Sequence, residues 1–186
     1  GSGARFGIVP LTNNRVYWFA CLNAPANDTV MQSLGAEELL SIFKDFHQPI
    51  PQLLERTNDA DIIWNDIIDL KPLKRFAFDN VLLLGDAAHA TTPNMGQGAC
   101  MAIEDACVLS NLLEKSANPR HAFVQFEQQT IARTTRIVNQ SWMLGKVAQW
   151  ENPLLVGVRN WLLSVTPQAT TEKQFQFIYD VSLAGA

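Results

Sequence analysis

Residues 81–101 read VLLLGDAAHATTPNMGQGACM, and no other stretch narrows the choice of fold as far. Its first four residues are an apolar run of the length and kind expected of a strand buried on both faces of a parallel-type sheet. Gly85-Asp86 follows at the carboxyl end of that run, where open α/β sheets place their ligands. After a loop interrupted by Pro93, Gly96-Gln97-Gly98 opens a segment of helical periodicity. Ala99, Ala102, Ile103, Ala106, Leu109 and Leu113 fall on one face of that helix, with Glu104, Asn111 and Lys115 away from it. The order is strand, loop, helix, with two glycines at the helix mouth.

The residue types in the loop support specific chemistry, and each has a plainer reading beside it. Asp86 can accept hydrogen bonds from neighbouring hydroxyls of a sugar or ribityl chain, or it can close a turn through its own backbone. Gly96 and Gly98 allow backbone N–H groups to approach a flat ligand. A helix start also carries roughly half a positive charge, suited to an anionic group; an ordinary loop glycine pair is the alternative. Pro93 fixes φ and removes a donor, which either presents neighbouring carbonyls to a ring or stiffens the loop. His89 is a general base or a histidine packed under the loop. Cys100, early in the helix, is a thiol activated by the helix dipole or a small packing residue. As a dinucleotide fingerprint GQGACM fails, because Met101 holds the sixth position, and GSGARF near the start is followed by strand-like sequence.

Upstream, ARFGIVPL and RVYWFACLN read as two strands, joined into a hairpin by Thr12-Asn13-Asn14. Residues 36–46 have helical spacing and stop before Pro49 and Pro51. A short helix is expected over 52–57 and a strand over 62–70. Downstream, Pro119 opens a helix running through Phe123, Phe126, Ile131 and Val138 towards Trp150. The expected division is a sheet-rich part over 1–72, the strand–loop–helix unit over 73–117, and a helical region over 118–186.

Composition excludes several function classes. The chain has 186 residues and a net charge of −4 without a Lys/Arg run, which argues against nucleic-acid binding. Cys21, Cys100 and Cys107 have neither C-x-x-C spacing nor a histidine cluster, so no metal site is expected, and they fit a reducing cytoplasm. The apolar run at 154–165 is broken by Arg159 and Asn160 and is too short to span a bilayer, which takes about 20 residues. It reads as a docking helix. Charged residues are 17% of the chain against a usual ~25%, which suits a body with apolar surface covered by a partner.

Taken together, LLLGDAAHATTPNMGQGACMAIEDA resembles the Gly-Asp motif of the FAD-dependent aromatic-ring hydroxylases, the para-hydroxybenzoate hydroxylase family. It is most similar to the branch of zeaxanthin epoxidase-like and urate hydroxylase-like monooxygenases. Weaker similarity covers most of the chain: RFGIVPL and RVYWFA resemble the family's substrate-domain sheet, DLKPLKRFAFDNV the approach to the Gly-Asp strand, and FEQQTIAR the start of its late helix. The resemblance implies an α/β (α+β) fold corresponding to the C-terminal part of such an enzyme. It implies that Asp86, with Gly85, binds the ribityl chain of FAD and that the Pro93 loop lies near the isoalloxazine. It further implies that the helix opened by Gly96, Gln97, Gly98, Ala99 and Cys100 points at the flavin N1–C2=O edge. Many members carry Asn where Cys100 stands.

The resemblance also implies a reaction. The complete enzyme would use NADPH or NADH to reduce FAD, form a flavin C4a-hydroperoxide, and hydroxylate or epoxidise a small aromatic or conjugated substrate. Phe6, Ile8, Val9, Tyr17 and Phe19 are the candidates for lining the substrate pocket. The cofactor carries the chemistry, so no catalytic acid or base is nominated. No complete G-x-G-x-x-G occurs in the chain, and Asp-Gly occurs nowhere. The ADP-binding N-terminal half of the family's site is therefore expected to be missing, leaving the isolated chain inactive. The alternative is a non-catalytic fragment or interaction module that binds no FAD by itself.

Overall fold

The computed structural model describes residues 1–179, with the backbone alone described at 168, 169 and 171–174; residues 180–186 of the expected helical region lie outside the described residues. Two strands come first, β1 (Ala4–Pro10) and β2 (Val16–Leu22), then helices α1 (Thr29–Gln32), α2 (Ala36–Phe43) and α3 (Ile50–Glu55), and a 3-10 turn at Asp59–Asp61. Strands β3 (Ala77–Phe78) and β4 (Val81–Leu82) lead into α4 (Asp86–His89) and a 3-10 turn at Pro93–Met95. Four helices complete the chain: α5 (Gly98–Lys115), α6 (Pro119–Ala148), α7 (Pro153–Val165) and α8 (Gln168–Tyr179). The elements gather into two compact units, Gly1–Asp66 and Ile67–Ala186.

In the first unit β1 and β2 pair antiparallel, with Gly7 opposite Phe19 and Val9 opposite Tyr17. The hairpin closes as its sequence predicts: Asn13 and Asn14 both take positive φ, 61° and 54°, the left-handed conformation that short hairpin turns require and Asn tolerates. Strand alternation then sorts the side chains. Ala4, Phe6, Ile8, Trp18, Ala20 and Leu22 pack on a core of Leu39, Phe43, Ile50 and Leu54 from α2 and α3. Phe6 stacks on Trp18 at 5.2 Å and meets Phe43 edge-on at 5.3 Å. Trp18 satisfies its indole N–H on Thr57 Oγ1 at 3.1 Å. The N-terminus of α2 is capped twice, by Glu38 Oε2 on Gly35 N and by Asp59 Oδ1 on Ala36 N.

Residues 62–70 form no strand. The backbone leaves the Asp59–Asp61 turn without regular structure, and Ile63, Ile67 and Ile68 are exposed. The β-branched run favours extended backbone, but no partner strand exists for it among the described residues, and extended backbone without a partner is not a sheet.

In the second unit the apolar run at 81–84 also differs from expectation. β4 is two residues long and pairs antiparallel with β3, and Val81 is 58% exposed. Leu82, Leu83 and Leu84 pack against a core of Phe76, Ala88 and Phe126. A short apolar run reports burial and cannot by itself report the direction of its neighbours. Pro119 sits in the first turn of α6 as predicted, with Asn118 as the cap, its Oδ1 accepting from Arg120 N at 3.0 Å.

The buried face of α5 is not the one that apolar periodicity selects. Met101 and Asp105 are buried, whereas Ile103 is 65% exposed and Ala99, Ala106 and Leu113 also face outward. The inward stripe is centred on a carboxylate that hydrogen bonds make tolerable, and a count of apolar residues cannot see it. On α7 no described residue is buried, and Arg159 ties the helix to α6 by donating to the carbonyls of Val147 and Ala148 at 3.3 and 2.9 Å. Among the described residues no helix is long and apolar enough to cross a membrane.

Candidate functional site

The site is built where the β4 connection turns into α4. Gly85 adopts φ 53°, ψ −136°, a conformation open to glycine and strained for any residue with a Cβ. Its N–H donates to Asp105 Oδ2 at 2.9 Å, and its carbonyl accepts from Ala88 N and His89 N, both at 2.9 Å. Both backbone polar groups of Gly85 are thereby hydrogen-bonded. Asp86 emerges from it exposed, and its carboxylate has no hydrogen bond or ion pair among the described residues.

His89 is a core residue. It is 3% exposed, and its Nε2 lies 2.7 Å from Asp105 Oδ2. That oxygen also accepts from Gly85 N, and a carboxylate oxygen in this place is matched by the Nε2–H tautomer of His89. Among the described residues His89 Nδ1 is buried without a hydrogen-bond partner.

The Pro93 loop is fastened to α6. Ser141 Oγ donates to Thr92 O at 2.6 Å and lies 2.8 Å from Thr92 Oγ1. Asn94 Nδ2 donates both to Thr92 Oγ1 at 2.8 Å and to Ser141 O at 2.9 Å. Gly145, one turn beyond Ser141, leaves the room in which the Asn94 amide sits, since a Cβ there would overlap Nδ2. Pro93 itself is exposed at the crest of this anchored loop.

Beyond the loop, Gly96 takes φ 64° and α5 begins at Gly98. Gln97 stands at the N-cap without a side-chain bond to the first turn, and among the described residues the N–H groups of Gly98, Ala99 and Cys100 have no intrahelical or side-chain acceptor. A Cβ built on Gly96 would meet nothing within 4 Å, and one on Gly98 only Thr91 Cγ2 at 3.7 Å. Gly96, Ala99 and Cys100 are exposed; Gln97 and Gly98 are half-buried. The donor set therefore fits the flavin that the motif implies. It offers one free carboxylate acceptor for ribityl hydroxyls, and an open, glycine-lined helix start for an electron-rich ring edge.

The five candidate substrate residues fall on two faces of the hairpin. Phe6 and Ile8 point into the core, whereas Val9, Tyr17 and Phe19 lie on the outer face and are 42%, 54% and 41% exposed. Phe6 also reaches the edge of an open depression, which it lines with Arg5, Phe19, Asp45, Phe46 and His47. Among the described residues no cluster of His, Cys, Asp and Glu could hold a metal ion.

Sequence reasoning passed over Asp105, Ser141, Gly145 and Asn94. Two signals were available. A glycine within a 30-residue helix gives up about 1 kcal/mol against Ala, so Gly145 pointed to a close approach. The acidic pair Glu104-Asp105 lies inside the apolar periodicity of α5, and a buried acid there needs donors from elsewhere.

Comparison with known proteins places the chain. The model of a family described as FAD binding domain matches residues 3–141. The chain is 39% identical over 181 residues to aurachin C monooxygenase/isomerase of Stigmatella aurantiaca, covering 95% of this chain and 47% of that protein. It is 32% identical to 2-heptyl-3-hydroxy-4(1H)-quinolone synthase of Pseudomonas aeruginosa, covering 96% and 47%. Among solved structures it superposes with a TM-score of 0.82 on Klebsiella pneumoniae HpxO complexed with FAD and uric acid, at 24% identity and covering 96% of this chain and 46% of that one. The chain spans about half the length of the curated relatives it matches. By its motif, its fold and these matches, the chain belongs to the FAD binding domain family.

Proposed function

We propose that the chain forms the flavin-facing part of an FAD-dependent monooxygenase acting on a small aromatic or conjugated molecule. The observation that carries this reading is the pairing of a free, exposed carboxylate at Asp86 with an uncapped, glycine-opened start of α5. In this reading Asp86 accepts from the ribityl hydroxyls. The N–H groups of Gly98, Ala99 and Cys100 face the N1–C2=O edge, where a positive helix end favours the electron-rich reduced ring. Pro93, on a loop tied to α6, borders the isoalloxazine. Bound FAD, reduced by NADPH or NADH, supplies the oxygen chemistry. Val9, Tyr17 and Phe19 offer an apolar and aromatic surface for a flat substrate, in keeping with relatives named for quinolone chemistry. A G-x-G-x-x-G unit does not occur in these 186 residues, and in this reading another segment seats the ADP half of FAD.

The test is a fluorescence titration with FAD, on the chain alone and with a G-x-G-x-x-G-bearing segment added. Binding in the second arm, weakened about tenfold or more by Asp86→Ala, is the expected result. Equal affinity in Asp86→Ala removes the ribityl role of that residue. Binding in neither arm overturns the flavin reading and favours an interaction module, for which the exposed Leu154, Val158, Trp161 and Leu163 of α7 would supply the surface.

A further inference from the structure

We propose that Asp105, braced by His89, is a positioning residue that sets the Gly85–Asp86 turn against the start of α5 and so fixes the spacing of the two flavin-facing groups. The inference rests on the flavin reading of that site. Asp105 is 2% exposed and belongs to the same helix whose first turn supplies the N–H donors. An ionised carboxylate in such a position is costly unless hydrogen bonds satisfy it. Its Oδ2 takes two, both from the turn that carries Asp86: Gly85 N at 2.9 Å and His89 Nε2 at 2.7 Å.

Those two bonds do different things. The Gly85 N–H is the one polar group of that residue that α4 does not use, since its carbonyl already accepts from Ala88 N and His89 N. Directed at α5, this N–H pins the Leu84–Gly85 peptide, so Gly85 is held on one side by Asp105 and on the other by its carbonyl's bonds within α4, and Asp86 follows from a residue fixed on both sides. His89 supplies the second donor and closes the ring of contacts from the far end of α4, because its own N–H is bonded back to Gly85 O. One turn before Asp105, Ala102 presses on the same spot: a Cβ added at Gly85 would lie 3.3 Å from the Ala102 Cβ. α5 thus lies close to the turn at Ala102 and holds it by hydrogen bonds at Asp105, while its N-terminus stays open. An apolar residue at 105 would fill the space but orphan two buried donors.

The test compares Asp105→Leu and Asp105→Asn with Ile137→Ala, a core truncation in α6 that destabilises the same unit. The variants are titrated with FAD under the conditions in which the unaltered chain binds it. Amide NMR spectra are recorded on each chain without FAD. Asp105→Leu is expected to weaken FAD by about tenfold or more, beyond the effect of Ile137→Ala at equal loss of Tm. Asp105→Asn, which keeps the shape and an acceptor oxygen, should fold, weaken FAD less, and shift the Gly85 and Asp86 amides. A strongly downfield His89 Nε2–H resonance should be present in the unaltered chain and absent in Asp105→Leu. FAD affinities that merely follow stability, as in the control, overturn the proposal. So do Gly85 and Asp86 amides that stay unmoved in Asp105→Asn. If the unaltered chain takes no FAD in any arm while those amides move, the cofactor reading falls and the hold of Asp105 on the turn stands.

Discussion

The ring of Phe19 lies across Gly7 of the paired strand, in the space that any side chain at residue 7 would occupy. A strand glycine gives up about 0.5–1 kcal/mol against Ala, and an aromatic ring laid over it restores cover. The same ring lies 6.2 Å from that of Tyr17, so Gly7 shapes the outer face proposed to meet substrate. Gly7→Ala should force Phe19 outward, which its 41% exposure permits. The gain in strand propensity offsets the lost contact, so stability should change by less than about 1 kcal/mol. Aromatic NMR should show Phe19 released from β1 at nearly unchanged Tm. A large fall in Tm would mean that the ring cannot move, and that the platform is rigid.

Gly145→Ala sets two effects against each other on α6. Alanine gains about 1 kcal/mol of helix propensity. Its Cβ overlaps the Asn94 amide nitrogen, which donates to Thr92 Oγ1 and to Ser141 O. Losing two part-buried bonds costs about 2 kcal/mol at typical net values. The loss wins, and thermal denaturation should show a net destabilisation of about 1 kcal/mol, with faster amide exchange across 92–96. Asn94→Ala should loosen the same loop without the compensating gain, and the double variant should recover about the helix-propensity increment relative to Asn94→Ala. Additive losses would instead mean that Gly145 serves something other than the Asn94 contact.

The hairpin, the helix after the glycines and the long α6 were legible because each is a local pattern: two adjacent asparagines at positive φ, a glycine-opened periodic run, a proline in a first turn. The motif also made Asp86 a candidate before any contact was known. The misses share a cause. Residues 62–70 and 81–84 have strand composition, but what a strand becomes depends on its neighbours, which its own residues do not specify. The buried face of α5 turns on Asp105, whose partners Gly85 and His89 stand 20 and 16 residues earlier in sequence. FEQQTIAR was legible as a family segment, yet the work of its residues was not: Phe126 fills the core, Glu127 holds β3, and Arg133 reaches Glu104 and α8.

Glu127 gives the second unit a defined acid sensitivity. Its Oε2 accepts from Phe76 N at 2.6 Å and Ala77 N at 2.9 Å. The bond to Ala77 is the main cause that holds its carboxyl below the ordinary value of 4.5; burial opposes it, and the Phe76 bond and the nearby Arg75 charge add to it. With the folded value below the unfolded one, the unfolded chain takes up the proton first as pH falls. The stabilisation is therefore complete above about pH 4.5 and is lost as pH drops through the folded value. Glu127→Gln, neutral at every pH, should be less stable at pH 7 by about 1 kcal/mol after allowance for solvent screening. The gap between the two proteins should narrow in denaturant titrations as pH falls from 4.5 through the lowered folded value. A gap that persists unchanged at low pH would place the effect in side-chain shape and not in charge.

Arg133 joins three helices. Its Nε and Nη2 donate to the two carboxylate oxygens of Glu104 on α5 at 2.8 and 2.9 Å. Nη1 and Nη2 also reach the carbonyls of Phe177 and Ile178 on α8 at 2.7 and 2.9 Å. Arg136, one turn along α6, holds its guanidinium 3.8 Å from the centre of the Phe177 ring. The planar fork can bind carboxylate and carbonyls at once, which a lysine ammonium cannot reproduce. Arg133→Lys should therefore keep an ion pair with Glu104 and lose the grip on the end of α8. Hydrogen exchange is expected to rise across 175–179 and cleavage there by a nonspecific protease to quicken, while α5 and the body of α6 stay protected. Arg136→Ala should give the same pattern more weakly, because it removes a ring contact of about 0.5–1 kcal/mol and no hydrogen bond to the backbone carbonyls. If exchange in α8 is unchanged in Arg133→Lys, the burial of Ile178 and not the arginine fork holds that helix.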